Sequence, residues 1–323
     1  MHDIFLEKGT VNEKFFVPLQ QQFQRETDMK AISNFEELIA HLSGAEEKRR
    51  VAVVCPYDES TQGAVQKAVD EGFIAPIIVG EAAKLGRALP GVPRIDATDD
   101  DDAAAKAVAL VRQGQADVLM KGLLNTDNLL RAVLNKETGI LPKGRVLTHL
   151  CCAEVPEYDK LLFMTDVAVI PCPTKEQREA QLGYLLRLCR SMGIREPGIA
   201  LVNCSEKVNE RHFPHTVEYL ELIERVKHGD FGPCIVDGPL DLKTSLSGKA
   251  LRKKGLSSPL RGHADGLIFP DIQSGNVFYK TITLFCHATT AAILAGPDVP
   301  VVLTSRADDI DSKFYSLALA CVN

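Results

Sequence analysis

Short apolar runs alternate with longer amphipathic segments along this chain, and this alternation most constrains its fold. Residues 51–55 (VAVVC) form a continuous apolar run, and residues 61–72 then show helical spacing that ends at a glycine. The same order returns at 117–121 and 126–135. Apolar runs followed by helices are typical of βαβ units around a mainly parallel sheet. The pattern therefore predicts an α/β fold.

The second half of the chain continues this pattern with weaker signals. Residues 167–170 are apolar and precede a long helical pattern at 175–193, so they are predicted to form a strand. Residues 246–253 are predicted to form one helix, and the run 277–295 is predicted to be mostly helical. The segment VDGPL at 236–240 is predicted to end a strand in a sharp turn.

Length and charge exclude several classes of protein. The chain has 323 residues, with 37 Lys and Arg against 43 Asp and Glu, which gives a net charge of −6. This length predicts two domains or one large α/β unit. An acidic chain without Trp lacks the basic face and the aromatic platforms that bind nucleic acid, so no nucleic-acid partner is expected.

The sequence also predicts where the protein resides. No segment has the roughly 20 unbroken apolar residues of a membrane span, so no membrane association is expected. The first residues lack the basic start and the apolar run of a signal peptide. The 9 cysteines are scattered without a CxxC pair, which is typical of reduced thiols in a cytoplasmic protein.

The first segment that could carry chemistry is KGLLNTD, which follows the strand predicted at 117–121. Ligands of open α/β sheets bind beyond the carboxyl ends of strands, and the N–H groups at a helix start suit an anion. Lys121 and Thr126 are therefore candidates for binding a phosphate or a carboxylate. An ordinary loop between a strand and a helix would look the same.

The second segment is FPDIQSGNVFYK at 269–280, where a strand is predicted to lead through a Ser-Gly-Asn turn into a helix. Gly275 would let the backbone approach a ligand, and the amide of Asn276 can donate and accept. Tyr279 and Lys280 follow within one helical turn. The competing interpretation is a helix cap built by Ser274 and Asn276.

The third segment is VVLTSRADDIDSK at 301–313, a strand that leads into Ser-Arg and then into an acidic stretch. Ser305 and Arg306 could hold an oxyanion or a phosphate, because Arg offers a rigid set of donors. A nearby carboxylate could act as a general base. The competing interpretation is a capping cluster, since acidic residues favour a helix start.

Metal and nucleotide motifs are not convincing. His212 and His215 are separated by Phe and Pro, and the Pro disrupts a regular helical pair, so no metal site is predicted. The sequence has no Walker A loop, no G-x-S-x-G elbow, and no G-x-G-x-x-G after the first strand.

Taken in order, these segments resemble a known family. KGLLNTDNLLRAVL, TDVAVIPCPTKEQ, VDGPLDL, LIFPDIQSGNVFYK and VVLTSRADDIDSKFYSLALA are similar to the phosphate acetyltransferase and phosphate butyryltransferase family. The resemblance runs from about residue 51 to the end of the chain. The TSRAD form and the Lys-Gly loop resemble the butyryltransferase branch more than the acetyltransferase branch.

The resemblance implies a fold and a reaction. The fold would be two three-layer α/β domains with mainly parallel sheets, in an isopropylmalate-dehydrogenase-like architecture with a cleft between them. The first domain would comprise 1–145 plus 295–323, with 1–28 as a peripheral arm or extension, and the second 146–294. The reaction would transfer a short-chain acyl group reversibly between coenzyme A and inorganic phosphate, without a metal or a further cofactor, in a homodimer or larger homo-oligomer.

The resemblance also implies roles for residues. Ser305 and Arg306 would lie at the reacting acyl phosphate. The substrate-binding residues would be Lys121, Thr126, Gly275, Asn276, Tyr279, Lys280 and Asp308. In the acetyltransferase branch the general base is an Asp seven positions after the Ser, but this chain has Ser312 there. Asp311, one position earlier, is the predicted base, and Asp308 is the alternative.

One other mechanism and two other functions compete with direct acyl transfer. An acyl group could be carried on Cys151 or Cys152, although neither has an obvious base beside it. A metal- and NAD(P)-dependent β-decarboxylating dehydrogenase would share the architecture. A catalytically inactive binding or scaffold relative could associate with a larger shell through the N-terminal arm. The acyl chain is left open, because one methylene changes discrimination by only about 1–3 kcal/mol.

Overall fold

The structure is a computed structural model in which residues 30–304 and 308–323 are described. These residues form one eleven-stranded sheet with helices on both faces. The strands are β1 (Arg49–Val54), β2 (Ile74–Gly80), β3 (Arg94–Asp96), β4 (Val118–Lys121), β5 (Thr148–Glu154), β6 (Leu162–Thr165), β7 (Gly198–Val202), β8 (Ile235–Leu240), β9 (Gly266–Ile268), β10 (Thr289–Ala295) and β11 (Val301–Val302). The helices are α1 (Phe35–Ser43), α2 (Glu59–Asp70), α3 (Ala82–Leu85), α4 (Asp100–Arg112), α5 (Thr126–Val133), α6 (Lys175–Ser191), α7 (His215–Lys227), α8 (Leu242–Leu246), α9 (Gly248–Lys253), α10 (Ile272–Phe285) and α11 (Ile310–Val322).

The strand order is β3-β2-β1-β4-β11-β10-β5-β6-β9-β7-β8. The first five strands in this order are mutually parallel, and so are the last four. The two blocks are joined by β10 and β5, which pair antiparallel with each other. β10 also pairs antiparallel with β11 of the first block, and β5 pairs antiparallel with β6 of the second. The prediction of an α/β fold with a mainly parallel sheet is confirmed. The division into 1–145 plus 295–323 and 146–294 stays a prediction, and the sheet is continuous where it crosses that division, at the pair Leu294 and Val301.

The two faces of the sheet have separate cores, because neighbouring residues of a strand point to opposite faces. In β1, Val51 and Val53 belong to one core, whereas Ala52 and Val54 belong to another. Helices α1, α2, α6, α7 and α11 pack on the first side, which we call the back face. Helices α4, α5, α8 and α10 pack on the other side, which we call the front face.

The strand predicted at 167–170 is wrong. The strand in this region is β6, which ends at Thr165, and 167–170 form a turn. The buried Asp166 carboxylate accepts hydrogen bonds from the backbone N–H groups of Ala168 and Val169, both at 2.8 Å. This side chain offers the backbone an alternative to strand pairing. The apolar run therefore lines a turn.

The mostly helical run predicted at 277–295 is also wrong in its second part. Helix α10 begins at Ile272 and ends at Phe285, and residues 289–295 form strand β10. The helical pattern cannot continue through His287, because the backbone of this residue lies in the left-handed region, with φ of 52°. The helix cap is Asp271, which accepts from the backbone N–H of Ser274 at 2.8 Å, so the cap predicted from Ser274 and Asn276 is wrong as well.

Two smaller predictions need correction. Residues 246–253 do not form one helix: Leu246 ends α8, Ser247 has an extended backbone, and α9 begins at Gly248. Its hydroxyl caps the second helix by accepting from the N–H of Ala250 at 3.3 Å. The segment at 236–240 lies within β8 and is not a sharp turn after it. Asp99 caps α4 by accepting from the backbone N–H of Asp102, and the three following aspartates form the first turn of that helix.

Candidate active site

Two loops meet at the carboxyl ends of β1, β4 and β11. The backbone N–H of Gly122 donates to the carbonyl of Val54 at 2.7 Å, which fixes the loop after β4 against the end of β1. A Cβ at Gly122 would lie 2.3 Å from the carbonyl oxygen of Cys55, so only glycine fits this approach. Val302 of β11 pairs with Met120 of β4. The segment that leaves β11 therefore starts beside the 121–126 loop.

The 121–126 loop has the properties of an anion site. Lys121 is 3% exposed, and its Nζ donates to the carbonyl of Gly122 at 3.2 Å. Helix α5 begins at Thr126, and the side chain of Asn125 makes no cap hydrogen bond, unlike the capping Asp271 of α10. The N–H groups of the first turn of α5 therefore lack a capping side chain, and such groups suit an anion.

Helix α10 is placed by the Ser-Gly-Asn motif. A Cβ at Gly275 would lie 2.3 Å from the carbonyl oxygen of Asp166, so a side chain at this position would push α10 away from the sheet. The amide of Asn276 donates from Nδ2 to the carbonyl of Val167 at 2.9 Å. Both predicted substrate-binding residues therefore hold α10 against the 166–170 turn, and their contact with substrate stays a prediction.

The 166–170 turn depends on Asp166, which sequence reasoning missed. Asp166 is 1% exposed. Besides three N–H groups of the turn, its carboxylate accepts from Thr148 Oγ1 at 2.7 Å and from the backbone N–H of His149 at 3.1 Å. Both latter donors are on β5, and in sequence Asp166 was indistinguishable from other aspartates that follow apolar strands. Asp166 thus links β5, the turn and α10.

His149 is a second residue that the sequence did not single out. Its ring is on the same side of β5 as Cys151, which is the front face where α10 packs. Burial lowers the pKa of His149, and the charge of Asp166 acts in the opposite direction. Its Nδ1 is buried and has no hydrogen-bond partner among the described residues.

Tyr279 of α10 lies against β10. The Tyr279 hydroxyl lies 3.4 Å from Thr290 Oγ1 on β10. Burial raises the pKa of Tyr279, and the negative charge of Asp308 raises it further. Lys280 is exposed, with its Nζ 5.8 Å from the centre of the Tyr279 ring. These residues line the front face where the two parallel blocks meet.

Two of the predicted catalytic residues, Ser305 and Arg306, lie outside the described residues, so their roles stay predictions. Thr304 on one side is buried and Asp308 on the other is half-buried.

Asp311, the predicted base, lies in the first turn of α11. Its side chain is 63% exposed and forms an ion pair with Lys67 Nζ of α2 at 2.8 Å. No described contact joins it to Lys121 or Tyr279, so its assignment as the base stays a prediction. Asp309 accepts from the backbone N–H of Ser312 at 2.8 Å. Hydrogen bonding with Ser312 lowers the pKa of Asp309. The capping interpretation therefore applies to Asp309.

The buried cysteines are poorly suited to carry an acyl group. Burial raises the pKa of Cys151 to about 12 and that of Cys152 well above its usual value. Both therefore remain thiols at neutral pH, whereas the thiolate is the nucleophile. The described residues also contain no group of three or more His, Cys, Asp or Glu side chains that could hold a metal ion.

Comparison with known proteins gives the family. The model of the family described as "Phosphate acetyl/butaryl transferase" matches residues 92–321. The phosphate butyryltransferase of Clostridium acetobutylicum is 36% identical over 298 residues, which are 90% of this chain and 98% of that protein. The phosphate acetyltransferase of Rhizobium meliloti is 34% identical over 298 residues, which are 90% of this chain and 93% of that protein.

A solved structure agrees with these relatives. The branched-chain phosphotransacylase from Enterococcus faecalis V583 superposes with a TM-score of 0.76 at 31% identity, over 85% of this chain and 98% of that chain. The matched sequence includes the β4–α5 loop, α10 and α11, which frame the site described above. The chain therefore belongs to the phosphate acetyl/butyryl transferase family and is an acyltransferase.

Proposed function

We propose that this protein transfers a short-chain acyl group reversibly between coenzyme A and inorganic phosphate, so that acyl-CoA and phosphate give acyl phosphate and CoA. The observation that carries the proposal is the family match over 92–321, which spans every predicted substrate-binding and catalytic residue. Relatives named for acetyl and for butyryl transfer match almost equally well, and the acyl chain is therefore left open. The dehydrogenase alternative is not favoured, because the family model and the relatives named above are acyltransferases.

Both substrates are anionic, and the protein as a whole carries a net charge of −6. The site therefore needs local positive charge. Lys121, Lys280 and Arg306 would supply it, and Thr126 with the first-turn N–H groups of α5 would bind phosphate oxygens. Support comes from the adjacency of the β4–α5 loop to the segment after β11.

The proposed chemistry is a direct displacement. In the direction of acyl-CoA synthesis, a carboxylate takes the proton of the CoA thiol, whose pKa is taken as about 8.5 by analogy with cysteine. The thiolate forms a bond to the acyl carbonyl carbon. Arg306 and Ser305 stabilise the negative charge on the tetrahedral oxygen, an effect worth about 10²–10³ in rate for one donor. The bond from carbon to the phosphate oxygen then breaks, and phosphate leaves with that electron pair. No metal and no further cofactor takes part in this proposal.

The base is proposed to be a carboxylate of the 308–311 segment. The sequence favours Asp311. The ion pair of Asp311 with Lys67 argues against that choice, and Asp308 is the alternative. General base catalysis contributes about 10²–10⁴ in rate, which makes the two assignments separable by mutation.

We further propose a cytoplasmic homodimer or larger homo-oligomer. Val277, Leu284 and Phe285 of α10 are 66%, 67% and 73% exposed, and large apolar side chains on one helix are commonly covered by a partner. The 9 cysteines are free thiols, which fits a reducing compartment. Among the described residues, no helix is long and apolar enough to cross a membrane. The arm proposed at 1–28 lies outside the described residues.

The test is release of free thiol from acetyl-, propionyl-, butyryl- and isobutyryl-CoA. We expect release that requires inorganic phosphate, with one acyl chain preferred. Arg306→Ala should lower the rate at least about 100-fold, by loss of transition-state stabilisation. Arg211→Ala, at an exposed arginine on the loop before α7, is the matched control and should retain the rate. Release that does not depend on phosphate, or no release from any of the four, would contradict the proposal.

A further inference from the structure

A cavity of about 1380 Å³ opens on the back face, away from the residues of α5 and α10 that line the proposed active site. Its walls are the link between α1 and β1, the second half of α6, the loop after α7 and the end of α11. Small-molecule sites usually occupy about 300–1,000 Å³, so the cavity has room for a nucleotide-sized ligand.

Basic side chains dominate the charge of this cavity. Four cations that line it form no ion pair with a carboxylate of the described residues: Lys48, Arg49, Arg187 and Arg190. Arg187 contacts an aromatic ring, with its guanidinium carbon 5.8 Å from the centre of the Tyr184 ring. Four such groups around one space are unusual in a protein whose net charge is −6.

The acidic residues of the cavity do not neutralise these cations. Asp117 is held by Arg50, whose Nε donates to it at 2.9 Å. Asp230 is held by Arg225 at 2.8 Å. Glu47 is the third acidic residue of the lining. The cavity therefore keeps an excess of positive charge.

Two of the arginines are already oriented. The Nη2 of Arg190 donates to the carbonyl oxygens of Phe231 at 2.7 Å and Pro233 at 3.0 Å, and its Nε is buried without a partner. The Nε of Arg49 donates to the carbonyl of Cys321 at 3.0 Å.

The cavity also has an apolar wall. Leu42, Phe73 and Leu186 line it and belong to the core of the back face. A ligand that carried only phosphate would leave this wall uncovered. A ligand with phosphates and a ring system would use both parts of the lining.

We propose that this cavity is a binding site for a small phosphate-bearing ligand of the nucleotide class, with the phosphates on Arg49, Arg187 and Arg190 and the ring on the apolar wall. The site is distinct from the acyl-transfer site, and the inference does not depend on the proposed function.

The test is calorimetric titration with ATP as the probe, in the absence of CoA, because CoA is itself an adenine nucleotide and would compete for the cavity. The variant Lys48→Gln/Arg187→Gln removes two exposed cations of the cavity. The matched control Lys207→Gln/Arg211→Gln removes the same two residue types from the exposed loop between β7 and α7. We expect one ATP per chain in the wild type and the control, and binding at least about tenfold weaker in the cavity variant, since one charge-assisted hydrogen bond is worth that much. Tripolyphosphate should bind more weakly than ATP, and adenosine should not bind measurably.

Two outcomes would overturn the inference: no ATP binding, or binding that both double variants retain equally, which would place ATP outside the cavity. Equal melting temperatures of the two variants would exclude misfolding as the cause of a loss. Because binding is read by heat, a protein without acyl-transfer activity that still binds ATP would leave this inference standing.

Discussion

At the scale of single residues, the acidic stretch before α11 has divided roles. Asp309 caps the helix, Asp311 pairs with Lys67, and Asp308 acts on Tyr279. Only a carboxylate that faces the substrate can take a proton from it. The ion pair with Lys67 therefore argues against Asp311, and the choice between Asp311 and Asp308 stays a prediction.

We expect Asp308→Asn to lower kcat by about 10²–10⁴, because it removes the base without changing its size. Asp311→Asn should lower kcat by less than about tenfold, because it breaks an exposed ion pair, and such pairs contribute little. Steady-state rates of the two variants, measured side by side with one acyl-CoA, check this. The reverse order would return the role to Asp311.

The types of residue at the site could be predicted from the sequence, but several of their partners could not. Lys121 and Tyr279 stand in motifs at element boundaries, which makes them visible as candidates. Asp166 and His149 do not, because their role depends on hydrogen bonds and burial between β5 and the end of β6. Such pairing is set by the tertiary fold and leaves no local pattern.

At the scale of elements, the position of α10 depends on Gly275. We expect Gly275→Ala to lower both the free energy of unfolding and kcat/KM, because its Cβ would lie 2.3 Å from a backbone oxygen. Gly183→Ala is the control, since Gly183 lies inside α6 and a Cβ there would have no neighbour within 4 Å. It should stabilise the protein by about 0.5–1 kcal/mol through helix propensity. Urea unfolding and thiol-release rates measure both, and a Gly275→Ala protein with wild-type stability would contradict the close approach.

Elements with clear ends were predicted well, and elements with ambiguous apolar runs were not. Helix α6 was predicted from Lys175, where the structure also begins it, because a capping Thr and a final Gly mark its ends. The runs at 167–170 and 277–295 carry no such marks at their true boundaries. In the first, one aspartate converts an apolar run into a turn. In the second, α10 and β10 are both apolar, and three residues separate them.

At the scale of the whole molecule, Lys313 of α11 fixes the end of the chain to α2. Lys313 is 3% exposed, and its Nζ contacts Asp58 Oδ1 at 3.0 Å and Ser60 Oγ at 2.8 Å. Burial alone would raise the pKa of Asp58, but hydrogen bonds from Ser60, Thr61 and Lys313 outweigh it and lower that pKa strongly. Asp58 thus contributes stability at neutral pH.

A lowered pKa gives a defined pH dependence. The contribution of Asp58 is fully present above its unfolded pKa of about 3.9 and is lost as the pH falls towards the lower folded value. We expect Asp58→Asn to cost about 3 kcal/mol at pH 6, because it leaves Lys313 buried without its partner. It should also reduce the loss of stability between pH 5 and about pH 3. Urea unfolding at pH 6, pH 5 and about pH 3 tests this. The control is Asp70→Asn, at the exposed end of α2. An unchanged pH dependence would contradict the role of Asp58.

The exposed apolar residues of α10 predict how copies associate. We expect sedimentation velocity to show a dimer or larger species for the wild type and a monomer for Val277→Asp/Leu284→Asp, because a charge on a buried contact is costly. Leu220→Asp on α7 is the control, at a leucine that is 45% exposed, and should not change the species. A monomeric wild type, or a double variant that still associates, would refute this interface.

The central position of β10 and β11 has a consequence for biosynthesis. These two strands fill the space between β4 and β5, yet they follow every other strand of the sheet in chain order. Until they emerge from the ribosome, β4 and β5 each present an open edge, which invites pairing with other chains. The two blocks can collapse early, but the edge between them closes only after both late strands have been synthesised. A nascent chain stalled before residue 289 is thus the species of this protein most exposed to aggregation.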